Sequence, residues 1–436
     1  MMPPWYNLFN NKFTILFLSN MRFFQGAGIV FALIFIVLLE YYAFTAFRFA
    51  IRSIRPSYKL PATVIFVAIM VAWFLVLLSF PVLRTADLNR SLKNFLVSFA
   101  MAFLIMKLMV GVFYLIDDIR RGLYYITGRF YKAESIPALV TNGMTRSDFL
   151  AKTGLWVSGI LFGTMWYGMM NRYRYSVKRL VLQFPHLPNA FKGMRVVQIS
   201  DIHSGSFSDP KAVERGIQTI LDLKPDLIVF TGDIVNNVSE ELVDYAPLFA
   251  KLTAPLGVFS ILGNHDYGDY FEWDSQEAKL ANLNRLKSLH ADMGWRLLLN
   301  EHVRIEKDGE HFALLGVENT SFKNRFKSYG DLNKAYTGAE ASPFKMLLSH
   351  DPTHWDGEVN KHYRDIDLTL SGHTHGFQFG VEIPGFKWSP AQCMYKQWAG
   401  LYQEGKQYLY VNRGFGFLGY PGRVGILPEI TLFELS

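Results

Sequence analysis

The sequence predicts two bodies in one chain: an N-terminal α-helical transmembrane region, then an α/β domain in which two sheets are covered by helices. Three observations predict it. Apolar segments near the ~20 residues needed to cross a bilayer fill much of the first 170 residues. Beyond residue 180, short apolar runs alternate with helical periodicity. Five of those runs end in loops carrying Asp, Asn or His, as in a ligand crevice at the carboxyl ends of strands.

A chain of 436 residues is long enough for two or three domains, and its 50% hydrophobic content is high for a purely soluble enzyme and low for an all-membrane protein. The net charge of +7 hides a division: residues 1–180 hold 20 Lys+Arg and 6 Asp+Glu, whereas 181–436 hold 24 and 31. The basic half is membrane segments and their loops. The acidic half argues against a nucleic-acid polyanion as main substrate, because binding a phosphate backbone needs compensating Lys and Arg. The single cysteine, Cys393, excludes an intrachain disulfide.

Residues 1–28, with Lys12 and Arg22, show no small-residue cleavage site after a short apolar core and are expected to be retained. Four crossings are expected within residues 29–170, at Ile29 to Phe47, Ala62 to Leu83, Phe95 to Ile116 and Leu155 to Met170, the last short and rich in Gly and Met. Glu40 and Lys107 lie inside the first and third, which run the same way and place the two at similar depth. A lone charge at mid-bilayer costs about 2.5–3.5 kcal/mol on insertion scales, so the two are expected to pair. The alternative is a snorkelling Lys107 and a protonated Glu40.

Residues 171–193 read as the connection, with Arg172, Arg174, Lys178 and Arg179 close to anionic headgroups and Pro185 and Pro188 at its exit. Val177 to Phe184 is a candidate first strand. The domain 194–436 follows, with buried strands at Arg195 to Ser200, Leu227 to Thr231, Val258 to Leu262, Met346 to Leu348 and Leu368 to Leu370. Ala212 to Leu223 and Ala278 to Met293 read as helices. Arg296 to Asn300, Val303 to Glu306 and Glu310 to Val317 read as antiparallel strands, with Asp308-Gly309 as a hairpin turn.

The chemistry-bearing residues follow the buried strands: I-S-D-I-H at Ile199 to His203, G-D at Gly232-Asp233, G-N-H-D at Gly263 to Asp266, S-H-D at Ser349 to Asp351, and G-H-T-H at Gly372 to His375. Singly each is weak, since a His after a strand is more often structural and an Asp in G-D is usually a turn former. Five in order, brought to one rim, make one site.

The ordered set resembles the calcineurin-like metallophosphoesterase superfamily, over roughly Phe191 to Ser436. The run Asn412 to Glu434, with R-G-F-G-F-L-G-Y-P-G-R, looks like its membrane-anchored bacterial branch. The resemblance implies an α/β/β/α metallophosphoesterase sandwich and two divalent ions, for which mixed oxygen and imidazole ligands suit Mn, Fe or Zn. It implies Asp201, His203 and His375 on one metal, Asn264, His350 and His373 on the other, and Asp233 bridging both. It further implies in-line attack on phosphorus by a metal-bridging hydroxide, with His265 stabilising the phosphate or protonating the leaving oxygen. Several relatives carry an Asp where Asn236 stands, to orient that histidine. Asp266 and Asp351 read as supporting or turn residues; His186, His290, His302, His311, His354 and His362 match no motif position. Arg423 reads as either a phosphate contact or a structural arginine.

The expected activity is therefore hydrolysis of phosphodiester or pyrophosphate bonds, on a lipid-linked or envelope substrate, at a bacterial cell membrane whose lipids are the other partner. Alternatives are a diesterase for small soluble molecules and a non-catalytic membrane sensor or scaffold. Loop charges do not set the orientation: ten Lys+Arg stand on one side and nine on the other. Thr145 to Leu155, T-R-S-D-F-L-A-K-T-G-L, resembles a twin-arginine export signal with Ser147 at the second arginine, which places the catalytic domain outside the cytoplasm.

Overall fold

A computed structural model of the chain describes residues 27–85, 90–130 and 145–436. Residues 1–26, with Lys12 and Arg22 of the expected N-terminal segment, lie outside the described residues, as do 86–89 and 131–144 of the expected loops. Two compact units result, Met1–Trp166 and Tyr167–Ser436.

In the first unit the four expected apolar segments lie within helices α1 (Ala27–Ala50), α2 (Pro56–Thr85), α3 (Arg90–Phe130) and α4 (Arg146–Met170). Among the described residues, Pro56–Ser79 and Leu92–Thr127 are long and apolar enough to cross a membrane by length and composition. The polarity is inside out relative to a soluble bundle: Ile34, Val64, Ile65 and Val112 are exposed, while Ser98 and Lys107 are buried. Lys107 forms the expected ion pair with Glu40, and its ammonium also lies 3.3 Å from the centroid of the Trp73 ring. α3 continues past Ile116, where the third crossing was expected to end, through Asp117, Asp118, Arg120 and Arg121. Pairs three residues apart carry it on, Asp117–Arg120 at 2.6 Å and Asp118–Arg121 at 2.8 Å. The export-like motif is taken up by these charges, with Ser147 Oγ donating to Asp117 (3.0 Å) and Asp148 paired with Arg52 (2.8 Å).

The second unit holds two six-stranded sheets. The first comprises β1 (Ser176–Leu182), β2 (Met194–Ile199), β3 (Leu227–Phe230), β4 (Val258–Ser260), β5 (Arg296–Leu297) and β14 (Glu429–Leu435), in the order β1-β14-β2-β3-β4-β5. The second comprises β6 (Glu301–Lys307), β7 (Glu310–Gly316), β8 (Lys345–Leu348), β9 (Leu368–Ser371), β12 (Gly400–Glu404) and β13 (Gln407–Val411), in the order β12-β13-β9-β8-β7-β6. A separate hairpin pairs β10 (Val381–Ile383) with β11 (Phe386–Trp388).

Side-chain alternation assembles the layers. Val196, Leu227, Val229 and Phe433 of the first sheet pack on Phe312, Leu314, Met346, Leu368 and Leu370 of the second, forming the core between the sheets. Their chain neighbours Val197, Ile228, Phe230 and Leu432 face the other way, onto helices α5 (Pro210–Asp222) and α6 (Gln276–Asp292). Ala313, Leu315, Leu347 and Leu409 turn outward beneath Leu332, Ala335, Trp355 and Val359. Helix, sheet, sheet and helix are the four expected layers. Asp209 and Ser275 cap α5 and α6, accepting from the amides of Ala212 (3.0 Å) and Ala278 (3.1 Å).

Two expectations change. The five motif-bearing strands divide between the sheets, β2, β3 and β4 in one and β8 and β9 in the other, so the rim is where two sheets end together. Arg296 to Asn300 is a two-residue strand pairing in parallel with β4, because Arg296 meets Phe259; only β6 and β7 form the antiparallel hairpin, turning at Asp308 and Gly309 in the left-handed region. The candidate first strand at Val177 to Phe184 is found as β1, Ser176–Leu182, which pairs with β14 and so brings the connecting stretch 171–193 into the sheet.

Candidate metal centre

Three of the five motif strands, β2, β3 and β9, hand over to a strained turn. Asp201, His203, Asp233, His373 and His375 have φ of 49°, 48°, 62°, 73° and 51°, the left-handed region that costs a non-glycine residue about 1–3 kcal/mol. Such conformations persist only where the surroundings over-determine them. A Cβ at Gly263 would lie 2.3 Å from Asp233 Oδ1, and one at Gly372 would lie 1.9 Å from Ser200 Oγ and 2.2 Å from Asp201 Oδ2. The glycines of the second, third and fifth motifs are thus steric requirements of the turns, and the turns aim the polar side chains inward.

Two groups result, Asp201 with His203 and His375, and Asp233 with His350 and His373, each with ligand-capable atoms within 4.8 Å of one another. In the first, His203 Nε2 stands 3.0 Å from His375 Nε2, which is 3.3 Å from Asp201 Oδ1. In the second, His350 Nε2 stands 3.2 Å from His373 Nδ1. Asp233 Oδ2 lies between the groups, 3.1 Å from His350 Nε2 and 3.6 Å from His203 Nε2.

The surrounding hydrogen bonds orient these atoms. His350 Nδ1 donates to the Thr231 carbonyl at 2.8 Å, leaving Nε2 for the site. The amide of His373 donates to both oxygens of Asp201 at 3.0 Å, and its ring Nε2 meets Tyr395 OH at 2.9 Å, so Nδ1 faces inward. Asn264 donates from Nδ2 to Tyr270 OH at 3.0 Å, whereas its Oδ1 is buried without a hydrogen-bond partner. A buried unpaired amide oxygen costs about 1–3 kcal/mol unless something coordinates it. That orphan, beside imidazole nitrogens and carboxylates, fits a divalent cation.

The electrostatics agree with that fit. Burial drives His203 to about 3 and His373 to about 4, and burial with His203 and Arg423 nearby holds His375 well below its usual value, so all three are neutral and ligand-competent at pH 7. Burial works against charge on His350, yet the adjoining Asp233 carboxylate outweighs it and lifts the imidazole to about 10. Burial raises Asp201 to about 6, whereas Asp233, despite burial, is held well below the carboxylate range by His350 and its neighbours. A site with this much negative charge and this little water is one that cations stabilise.

His265 stands at the mouth of the group, its amide donating to Asp233 Oδ1 at 2.8 Å. Its Nδ1 is 2.7 Å from the backbone carbonyl of Asn236, which fixes the proton on Nδ1 and turns Nε2 away from that carbonyl. Where several relatives carry an Asp, the Asn236 side chain bonds Ser206 Oγ at 3.1 Å, and it is the backbone carbonyl that orients the histidine. Asp266 supports the turns, accepting from the amides of Asp233 (2.9 Å), Ile234 (2.8 Å) and Gly263 (2.8 Å). Asp351 takes the amide and hydroxyl of Thr353, both at 2.8 Å. His290, His302 and His354 are structural as expected, meeting Ser260 (2.9 Å), the Ala335 carbonyl (2.9 Å) and Ser349 (2.8 Å).

Arg423 is a structural arginine, which removes the phosphate-contact alternative. It is fully buried and donates to the carbonyls of Gly416, His375 (3.1 Å), Arg413 (2.7 Å) and Gly414 (3.2 Å). Its role is to brace the closing loop against His375. The cation that does line the cleft is Arg325, with Tyr270, Phe326, Phe377, Met394 and Tyr395 beside it; the cleft encloses about 400 Å³ and reaches Asp233, Asn264, His265 and His375. None of these wall residues stands in a motif, and nothing in the local pattern marks them.

Residues 21–172 match the family model described as "Probable Calcineurin-like phosphoesterase, transmembrane domain", and residues 194–377 match the calcineurin-like phosphoesterase model. The chain is 33% identical over 254 residues to an uncharacterized metallophosphoesterase of Bacillus subtilis, covering 57% of this chain and 82% of that protein. It is 29% identical over 316 residues to a zebrafish (Danio rerio) transmembrane protein with metallophosphoesterase domain, covering 70% of this chain and 66% of that protein. A UDP-2,3-diacylglucosamine pyrophosphatase of Chlamydia trachomatis is 29% identical over 276 residues, covering 53% of this chain and 81% of its own. With the two groups of ligand-capable side chains at the rim of a four-layer sandwich, these matches make the chain a metal-dependent phosphoester hydrolase, a member of the calcineurin-like metallophosphoesterase family with an N-terminal transmembrane domain.

Proposed function

We propose that Asp201, His203 and His375 hold one divalent cation, that Asn264, His350 and His373 hold a second, with Asp233 shared between them, and that the enzyme cleaves a phosphodiester or pyrophosphate bond of a lipid-linked substrate. The observation that carries the substrate class is the cleft wall. A small soluble diester needs only polar contacts, but here Tyr270, Phe377 and Met394 line the cleft and remain 40%, 51% and 38% exposed. An exposed apolar rim around a charged floor suits a substrate with a phosphate at one end and hydrocarbon at the other. The relative that is named a UDP-2,3-diacylglucosamine pyrophosphatase supports the same class.

The two cations supply polarisation of the phosphoryl oxygens and a nucleophile at neutral pH. The chain's own groups do the rest. Asp233 supplies the shared negative charge, and Arg325 is positioned on the wall to receive an oxygen of a second phosphate. His265, its Nδ1 proton committed to the Asn236 carbonyl, presents Nε2 to donate a proton to the leaving oxygen. The donor set of carboxylate, amide oxygen and imidazole suits Mn, Fe or Zn.

The full chain in phospholipid nanodiscs, offered a diacylated nucleotide-sugar pyrophosphate, phospholipids and a water-soluble chromogenic diester, tests the reading. A higher kcat/KM for a lipid-bearing substrate is expected; equal values would favour the small-molecule diesterase. The same reading includes four crossings in a bacterial cell membrane and a catalytic domain outside the cytoplasm. Protease added to intact cells or spheroplasts should then digest residues 181–436, and full protection until the membrane is opened would place the domain inside.

A further inference from the structure

The β10–β11 hairpin carries its polarity the wrong way round for a surface facing water. Its register pairs Val381 with Trp388 and Ile383 with Phe386, and these four side chains are 42%, 37%, 58% and 54% exposed. The one pair of charged residues between them, Glu382 with Lys387, alternates onto the opposite face of the hairpin, Glu382 half-buried and Lys387 exposed. Glu382 is held by Lys178 at 3.2 Å and Arg413 at 2.8 Å, and Lys387 bonds the Ala399 carbonyl and lies 4.9 Å from the Trp398 ring centroid. Both charged groups are therefore partnered, although Lys387 itself stays exposed and Glu382 half-buried, and the four side chains of the opposite face are aliphatic and aromatic.

The surrounding contacts tie this face to the point where the chain leaves its transmembrane domain. Gly380, just ahead of β10, donates to the Val424 carbonyl at 2.9 Å, and Val424 donates back to Gln378 at 2.8 Å. The neighbouring Arg423 amide donates to Gly168 in the last turn of α4 at 2.8 Å, where a Cβ on Gly168 would meet Val424 at 2.5 Å. The transmembrane family match ends at residue 172. Lys178, which holds Glu382, is eight residues beyond Met170, a reach of at most about 29 Å even fully extended. Arg174 and Arg179 are exposed along the same strand and its approach. An uncharged apolar face with a tryptophan, beside exposed arginines and close to a bilayer exit, has the chemistry of a membrane-interface anchor.

We propose that the outer face of the β10–β11 hairpin, formed by Val381, Ile383, Phe386 and Trp388, inserts into the headgroup and acyl boundary of the bilayer that holds the transmembrane domain. The inference rests on α4 ending at that bilayer surface, as proposed above, and it deepens the substrate reading. Phe377, on the cleft wall, precedes the hairpin by four residues, so docking the hairpin brings the cleft rim to the lipid surface. A lipid substrate then reaches the metal centre without leaving the interface entirely.

Fluorescence tests it in the full chain, with Cys393→Ser removing the native thiol. An environment-sensitive nitrobenzoxadiazole label is placed at Phe386→Cys, or at Lys406→Cys in the exposed turn between β12 and β13 as a control. The chain is reconstituted into phosphatidylethanolamine and phosphatidylglycerol nanodiscs containing nitroxide-labelled lipid. The label at 386 should shift to the blue, be quenched by the nitroxide lipid and resist aqueous iodide, while the label at 406 behaves oppositely. Iodide quenching at 386, or protection from both quenchers as another protein surface would give, overturns the proposal. In Val381→Ser/Ile383→Ser/Phe386→Ser, turnover of a bilayer-embedded substrate should fall about tenfold relative to a soluble chromogenic diester. An unchanged ratio with the label in lipid would remove the delivery role. Absence of any lipid hydrolysis by the parent chain would instead sink the substrate reading, leaving the fluorescence to decide the hairpin.

Discussion

Asp266→Asn tests whether the metal centre depends on a residue that is not itself a ligand. Both oxygens of Asp266 are occupied: Oδ1 accepts from the amides of Ile234 (2.8 Å) and Val235 (3.3 Å), and Oδ2 from those of Asp233 (2.9 Å) and Gly263 (2.8 Å). Burial, with Asp233 nearby, pushes the carboxyl up to about 7, but four N–H donors demand the ionised form, since a proton would turn one oxygen into a competing donor. The amide of asparagine cannot avoid that conflict. Its nitrogen must face two backbone N–H groups, each then buried without an acceptor at about 1–3 kcal/mol, so the loss is ~2–6 kcal/mol. For a domain of this size the melting temperature should fall by roughly 4–24 °C. The amide of Asp233 is one of the four donors, so this carboxylate loses its left-handed anchor and metal content should fall as well. Thermal unfolding of the detergent-solubilised chain, followed by tryptophan emission and paired with elemental analysis, measures both. Asp274→Asn, at an exposed position, is the control and should stay within about 0.5 kcal/mol of the parent. Unfolding of Asp266→Asn together with that control, at full metal content, would refute the reasoning.

Three further expectations follow from the same geometry. Asp233→Asn should abolish most turnover and lower the content of both metals, because one carboxylate compensates two cations; two metals per chain with normal turnover would contradict the assignment. His265→Ala should leave metal content nearly intact and reduce turnover about 10²- to 10⁴-fold, less for diesters with good leaving groups. An equal loss for good and poor leaving groups would assign His265 to phosphate binding alone. In the membrane unit, a cycle of Glu40→Gln and Lys107→Met should show the double variant losing less stability than the two single losses together, since each single change strands one member of a pair; strict additivity would mean that the pair is not coupled.

The metal-centre candidates were legible because their chemistry is intolerant: each needs a particular donor after a buried strand, with glycine where the turn closes on a carboxylate, and Gly263 and Gly372 show why. The layers were legible for a related reason, the alternation of Val196 with Val197 or Val229 with Phe230 between two cores. What stayed hidden depends on distant residues. Arg423 looks like a phosphate ligand until the carbonyls of Gly414 and Gly416 enclose it, and no local pattern announces that enclosure. Arg325 and Tyr270 sit on loops, where no periodicity says which side chains will wall a cleft. The division of five motif strands between two sheets, and the insertion of β14 between β1 and β2, are long-range pairing choices that apolar runs of similar composition do not distinguish.

The place of β14 also sets a clock on the enzyme. β1 follows the transmembrane helices immediately, yet its partner within the sheet is β14: Ser176 meets Glu429, and Leu182 meets Leu435. At ~5–20 residues per second, the intervening stretch takes about 10–50 s to synthesise. Throughout that interval β1 and β2 both present an unpaired edge, the kind of surface that recruits chaperones or foreign strands. The loop that braces His375 through Arg423 arrives only just before β14. A ribosome stalled short of this point leaves a tethered chain with most of the candidate metal-binding side chains and no assembled sheet, so phosphoester cleavage waits for β14.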